Sequence, residues 1–319
     1  MFVLAHLSDP HLGPVPLPRF RELTGKRALG FVNWHRRRFV RHRPEALEAL
    51  VHDLRSAAPD HIAVTGDLVN IALEKEFPPA REWLAQLGSP HDVSMVPGNH
   101  DAYVRDAIEH PASHWGDYMR GDGIGTGAPH SRSGPFPYVR RRGPAALIGL
   151  STALPTAPFL ATGKLGADQL MRLSDALAHL AHEGLFRIVL IHHPPIAKGP
   201  NRFKRLIDAG PFRRVIAEHG AELVLHGHNH VHSLTWLDGP NHPVPAVGVP
   251  SASAALRGDR DPAGYNLYRI DGAPGRWRCE GISRGLAAGR RGLVEVARYV
   301  LQGSQVGNRQ SEMLLAPDF

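Results

Sequence analysis

The sequence predicts an α/β fold, and three observations carry that expectation. Strand-length apolar runs alternate with helix-length stretches as far as His230, whereas the apolar runs beyond it leave no room for helices between them. Five short polar blocks each begin directly after an apolar run: Asp9-Pro10-His11, Gly66-Asp67, Gly98-Asn99-His100-Asp101, His192-His193-Pro194-Pro195 and Gly227-His228-Asn229-His230. Carboxylates, an amide and imidazoles would therefore gather at one edge of a sheet, which is how two metal ions are held.

Strands are expected over residues 2–8, 61–65, 93–96, 145–151, 188–191, 223–225, 244–249, 265–270 and 276–282. Helices are expected over 44–57, opened by a proline at a first-turn position, and over 79–87, 167–183 and 212–219. The early part reads as βα alternation. The later strands should be mostly antiparallel, giving a mixed or two-layered sheet flanked by helices. With 319 residues and 42% hydrophobic content the chain can bury a full core. One domain over residues 1–285 is expected, followed over 286–319 by a helix through 294–301 and a polar tail.

Three stretches read as insertions rather than scaffold, the C-terminal 286–319 being one of them. Residues 12–43 carry Arg19, Arg21, Lys26, Arg27, Arg36, Arg37, Arg38, Arg41 and Arg43 against the lone acid Glu22, with Leu29, Phe31, Val32, Trp34 and Phe39 interleaved. Residues 102–144 are rich in Gly and Pro and read as a long surface excursion. The single cysteine, Cys279, rules out an internal disulfide, so nothing requires an oxidising compartment and metals would take O and N ligands. The N-terminus lacks a basic region, and no apolar run approaches the roughly 20 residues of a membrane helix. A soluble cytoplasmic protein is expected. The excess of 37 Lys+Arg over 30 Asp+Glu suits an anionic partner without choosing among phosphate esters, nucleic acid and anionic lipid.

The blocks differ in what they carry alone. In Asp9-Pro10-His11, strand-end alternation would put both side chains on one side, with Pro10 biasing Asp9 toward extended backbone. Asp67 follows a glycine that lets the chain turn and frees its carboxylate to bridge two cations; a turn-capping aspartate is the alternative. Asn99 offers a hard amide oxygen, and His100 followed by Asp101 reads as an imidazole oriented by a carboxylate, although Gly-Asn also makes ordinary turns. His192 is the strand-end histidine of its pair, leaving His193 as a supporting or packed ring. His228 and His230, two apart after Gly227, suit a metal pair. The histidines outside the blocks, His6 and His42 among them, are expected to be solvated or packed.

In this order the blocks resemble those of the calcineurin-like metallophosphoesterase superfamily: D-x-H, G-D, G-N-H-D or G-N-H-E, a strand-end His, then G-H-x-H. The resemblance covers about residues 1–230 with every ligand position filled, although Pro10 stands where the family has Leu. It implies a four-layer α/β/β/α sandwich. It further implies that Asp9, His11, Asp67 and His230 hold one divalent ion and that Asp67, Asn99, His192 and His228 hold the other. Mn, Fe, Zn and Co all suit such a ligand set. A pair of ions roughly 4 Å apart would activate a bridging hydroxide against a phosphoric ester, with His100 aiding the leaving oxygen and Asp101 holding its ring.

Within the superfamily the motifs look closest to bacterial cyclic-nucleotide and glycerophosphodiester phosphodiesterases. Phosphomonoesters and lipid-linked (pyro)phosphates are the alternatives, and a scaffold that has lost its ligands is disfavoured because none is missing. The basic segment lies beside the first ligand pair, so Arg36, Arg37 and Arg38 are candidate substrate contacts, and the segment could lie on the inner face of an anionic membrane. A solvated basic hairpin packed through Leu29, Val32 and Phe39 is the plainer alternative. No specific nucleic acid is expected, because no nucleic-acid module is recognised.

Overall fold

Strand pairing sorts the apolar runs into two sheets. The computed structural model describes residues 1–122, 136–196, 202–256, 261–290, 292–302 and 314–315. Along the chain the strands are β1 (Phe2–Leu7), β2 (His61–Val64), β3 (Val93–Met95), β4 (Tyr138–Arg142), β5 (Ala145–Gly149), β6 (Phe186–Leu190), β7 (Leu223–His226), β8 (Ser233–Leu237), β9 (Val244–Gly248), β10 (Gly264–Asp271), β11 (Arg278–Leu286), β12 (Leu293–Gln302) and β13 (Leu314–Leu315). The helices are α1 (Gly25–Asn33), α2 (Phe39–Arg41), α3 (Pro44–Ser56), α4 (Phe77–Leu87), α5 (His110–Trp115), α6 (Ala167–His182) and α7 (Ala209–His219).

One sheet has the order β13-β12-β11-β10-β1-β2-β3 and the other β4-β5-β6-β7-β9-β8. In the first, β1, β2 and β3 are parallel and β10 onward is antiparallel; in the second, β5, β6, β7 and β9 are parallel between antiparallel edges. Register sets the chain up for a site. Leu7 pairs with Val64 and Val64 with Met95, so β1, β2 and β3 end level with one another.

Strand periodicity divides the core. Leu147, Ile188, Leu190 and Leu225 face the first sheet in one apolar cluster, while Ile148, Val189, Ile191 and Val224 face α6 and α7 in the other. On the first sheet, α3 starts at Pro44, whose missing N–H is not needed there, and buries Leu47, Leu50, Val51 and Leu54 at helical spacing. The architecture is thus helices, sheet, sheet, helices.

Three expectations fail here. The helix expected over 294–301 is strand β12: Leu293, Ala297, Tyr299 and Leu301 are buried at even spacing against β11, and a short apolar run does not by itself fix the period. Residues 286–302 therefore complete the sheet instead of starting a tail, most of which lies outside the described residues. The segment over 102–144 is not a surface excursion throughout. It contains α5 and β4 and buries Trp115, Tyr118, Met119 and Tyr138, with the Arg140 guanidinium donating to the carbonyls of Pro90, Val93, Asp117 and Arg120. Its middle, 123–135, lies outside the described residues. The basic segment is no hairpin either: it is α1, a π-helical turn over Trp34–Arg38 and α2, with Trp34 buried while Leu29, Val32 and Phe39 are exposed.

Leu50 is fully buried in α3, so Leu50→Ala should cost about 2–5 kcal/mol in unfolding free energy. Urea unfolding of the purified protein measures it.

Candidate metal centre

Each block leaves the carboxyl end of a parallel strand, the edge at which open α/β sheets bind ligands. The chain turns sharply there. Asp9, His11, Asp67, His228 and His230 all have positive φ, between 41° and 70°. Such backbone is uncommon for non-glycine residues and is tolerated where the surroundings fix it. Pro10 therefore does not hold Asp9 extended: Asp9 and His11 meet through two left-handed residues after β1 has ended, and not through strand alternation. Glycine matters at two contacts. A Cβ on Gly98 would overlap Asp67 Oδ1, and one on Gly227 would overlap the Ser8 hydroxyl and Asp9 Oδ2.

The donors fall into two sets that share Asp67. In the first, His230 Nε2 lies 3.0 Å from Asp9 Oδ1 and 3.3 Å from His11 Nε2, with His11 Nε2 3.9 Å from Asp67 Oδ2. In the second, His192 Nε2 lies 3.4 Å from the same Asp67 Oδ2, 3.3 Å from Asn99 Oδ1 and 3.3 Å from His228 Nδ1. Bonds of about 2.0–2.2 Å to one ion place neighbouring ligand atoms about 3–3.6 Å apart. These residues therefore fit two divalent cations, with Asp67 reaching both. All seven sequence-derived ligands, Asp9, His11, Asp67, Asn99, His192, His228 and His230, are brought together.

Electrostatics point the same way. Burial depresses the basicity of His11 and His228 far below the usual imidazole range, which leaves them neutral lone-pair donors. Burial also works against a charged His192, but the Asp67 and Asp9 carboxylates outweigh it and raise that ring to about 9. Asp9 is held well below the usual carboxylate range: burial opposes ionisation, and His230 more than compensates. Two buried carboxylates thus pull positive charge toward the site.

Asp101 does not hold the His100 ring. Its carboxylate accepts the N–H groups of Gly98, Asp67, Leu68 and Val69 at 2.8–3.1 Å and so ties the turn after β2 to the turn after β3. The His100 ring is oriented instead by the Asn70 carbonyl, to which Nδ1 donates, and by stacking on Tyr103 with ring centroids 5.2 Å apart. Burial, with Arg38 beside it, lowers His100 to about 3. Of the three candidate arginines, the π-helical turn aims Arg38 inward, its guanidinium 3.1 Å from His11 Nε2 and 3.2 Å from His100 Nδ1, while Arg36 and Arg37 are exposed at the rim.

Sequence reasoning missed His42. Its ring packs on His11 with centroids 4.6 Å apart, and a ring nitrogen stands within 4.8 Å of those of His11 and His230. Ser253 holds Nδ1, and the buried Nε2 has no hydrogen-bond partner, so His42 is a further nitrogen donor beside the first set. No spacing links it to a block; only its place in the basic segment next to Asp9 and His11 signals it. His193, by contrast, is packed as expected, held by Thr152 and the Ala161 carbonyl.

The donors open into a cleft of about 740 Å³ walled by α1, the π-helical turn and the loop around Pro158–Ala161. Lys26, Arg36, Arg37, Arg38, Arg41 and Lys204 line it, and Asp67 is the one carboxylate among its described lining residues. The arrangement suits an anionic ester whose phosphoryl oxygens meet two cations.

Comparison with known proteins agrees with this geometry. The profile described as calcineurin-like phosphoesterase matches residues 2–232. A Synechococcus protein described as "Probable cyclic nucleotide phosphodiesterase" is 25% identical over 236 residues, covering 73% of this chain and 80% of its own length. A dimetal phosphatase from Danio rerio superposes with a TM-score of 0.58 at 12% identity, covering 92% of this chain and 98% of that one. The purple acid phosphatase PPD1 of yellow lupin gives 0.55 at 12% identity, over 92% of this chain and 53% of its own. The two structures share the fold.

Two outcomes follow from the shared Asp67 and the relocated Asp101. Purified protein should bind about two divalent ions per chain, and Asp67→Ala should lose both by elemental analysis because its carboxylate serves each set. Asp101→Ala should lower stability by about 3–5 kcal/mol, since it strips four buried N–H groups of their acceptor; thermal unfolding measures it, and an unchanged midpoint would refute the tie between the two turns.

Proposed function

The chain belongs to the calcineurin-like phosphoesterase family, a metal-dependent phosphoester hydrolase, and from that premise we propose that it hydrolyses phosphodiesters. The observation that carries the reading is the complete pair of donor sets opening into one cationic cleft. The cyanobacterial relative supports the diester preference. When bound, the ion pair supplies an acidified water and neutralises phosphoryl oxygens. The chain's own residues do the rest.

Arg38, facing the donors, contacts a phosphoryl oxygen of the bound ester, and its planar fork suits two oxygens at once. His100 faces the leaving oxygen; the negative charge of a bound phosphate opposes the burial and the Arg38 charge that lower the ring's basicity in the free site, so Nε2 carries a proton for the leaving oxygen once the ester is bound. Asn70 and Tyr103 fix its plane, so the ring works from one orientation. Arg36 and Arg37 draw the anion in from the rim. A diester carries one negative charge where a monoester near neutral pH carries almost two, so a product phosphate is held more tightly than its substrate and product inhibition is expected.

A second observation favours an amphiphilic ester presented at an anionic membrane surface. Leu29, Val32 and Phe159 line the cleft yet are 46%, 47% and 86% exposed, beside Arg36 and Arg37. Apolar side chains interleaved with arginines are the composition of an interfacial helix. Among the described residues no helix is long and apolar enough to cross a membrane.

The decisive measurement is kcat/KM for bis(p-nitrophenyl) phosphate against p-nitrophenyl phosphate, then for cyclic nucleotides and glycerophosphodiesters, under one metal. Preference for the diester is expected, and preference for the monoester overturns the assignment. His100→Ala should keep the ions and lose about 10²–10⁴-fold on poor leaving groups, but far less on nitrophenolate. Replacing Arg36 and Arg37 with Gln should weaken binding to phosphatidylglycerol vesicles by about 25-fold, at ~1 kcal/mol per arginine, in a salt-dependent way. Unchanged vesicle binding removes the membrane contact.

A further inference from the structure

Lys26 stands out as a buried cation with no carboxylate in direct contact among the described residues. It is 8% exposed, lines the cleft, and its partners are neutral: Nζ donates to Thr156 Oγ1 at 2.6 Å and lies 4.3 Å from the centroid of the Tyr103 ring. The fold holds it there firmly. Gly30, four residues on along the same face of α1, lies so close to Tyr103 that a Cβ would overlap its hydroxyl. Arg27 pins the helix by donating to the carbonyls of Ile71 and Ala72. Thr156 in turn donates to the Leu160 carbonyl, which leaves its oxygen facing Lys26 as an acceptor.

Burying an ammonium without a carboxylate in contact is costly: burial pulls this one down to about 8, and the more distant Asp67 carboxylate only partly offsets it. An anion entering the cleft would remove that cost. The scissile phosphate does not account for it, because that group meets the donor sets, Arg38 and His100. Lys26 is one ring removed from them, across Tyr103, which stacks on His100. His100 marks the leaving-group side.

We propose that Lys26 and Tyr103 form a second anion subsite, which binds a further phosphate or carboxylate carried by the leaving moiety of the substrate. The inference rests on the hydrolase reading above and narrows its substrate to esters and anhydrides whose departing half is itself anionic. For a dinucleoside pyrophosphate, water adds to one phosphorus as the bridging P–O bond breaks. The bridging oxygen leaves with the electron pair on the second nucleotide, and two nucleoside monophosphates result. Lys26 would hold the phosphate of the departing nucleotide and favour its release as the anion.

The test pairs two substrates with the same nucleosides, diadenosine pyrophosphate and adenylyl-(3′,5′)-adenosine, using full-length metal-loaded protein. Lys26→Met should lower kcat/KM about 10- to 100-fold on the pyrophosphate, the range for one charged hydrogen bond, and change it less than about 2-fold on the singly charged diester. Lys26→Arg should retain most of the pyrophosphate activity. Calorimetric titration of the wild type should show ADP binding at least about 10-fold more tightly than AMP, and Lys26→Met should abolish the difference. Equal losses on both substrates, or equal affinity for ADP and AMP, would overturn the subsite. If the wild type cleaves neither compound, the diesterase reading fails, while the ADP and AMP titrations still decide the subsite.

Discussion

The site depends on buried carboxylates that bind backbone N–H groups as firmly as they face the cleft. Asp101 accepts four of them and fixes the turns after β2 and β3 relative to each other. Asp67 accepts the N–H of His100 through Oδ1, leaving Oδ2 toward both donor sets. Asp9 accepts the N–H of His228 from the other sheet. In reverse, His192 of the second sheet donates through Nδ1 to the Thr65 carbonyl of the first, which orients the ring so that Nε2 faces Asp67 and Asn99. The metal centre is thus also the seam of the two sheets. The same bonds that hold the left-handed residues in place hold the layers in register.

That double duty explains what the sequence disclosed and what it hid. The candidate ligands were legible because chemistry restricts their types and because each follows a strand, and the structure brings Asp9, His11, Asp67, Asn99, His192, His228 and His230 together. Their backbone was not legible. Five of these residues adopt positive φ, a conformation that nothing in their identity demands, and the network of carboxylates and N–H groups that stabilises it joins residues far apart in the chain. Asp101 was misread for the same reason. Adjacency suggested a partner for His100, whereas its acceptor atoms serve the main chain.

Periodicity failed where the pattern is short. The run at β12 reads equally as about two helical turns or as a strand, and only pairing with β11 decides, because sheet contacts outweigh local preference in a run of this length. The segment over 102–144 was misread because Gly and Pro hide an edge strand. Its core is aromatic, Trp115, Tyr118 and Tyr138, and carries no periodic aliphatic signal.

The basic segment shows how charge becomes function only through shape. Its arginines were conspicuous as a run, and a run of cations is ordinarily a solvated face. Here α1 presses on Tyr103 at Gly30, the π-helical turn shifts the helix phase, and the cations separate into different environments. Arg38 meets His11 and His100, Arg36 and Arg37 stay at the rim, and Lys26 is drawn under the helix onto Tyr103. The same helix leaves Leu29 and Val32 in solvent at the mouth. Cations that lie between an apolar rim and a floor fitted for two divalent ions would both attract an anion and orient it, since the most strongly charged end would be the one that carries the chemistry. In the proposed reading, specificity rests on the insertion and reactivity on the strand ends.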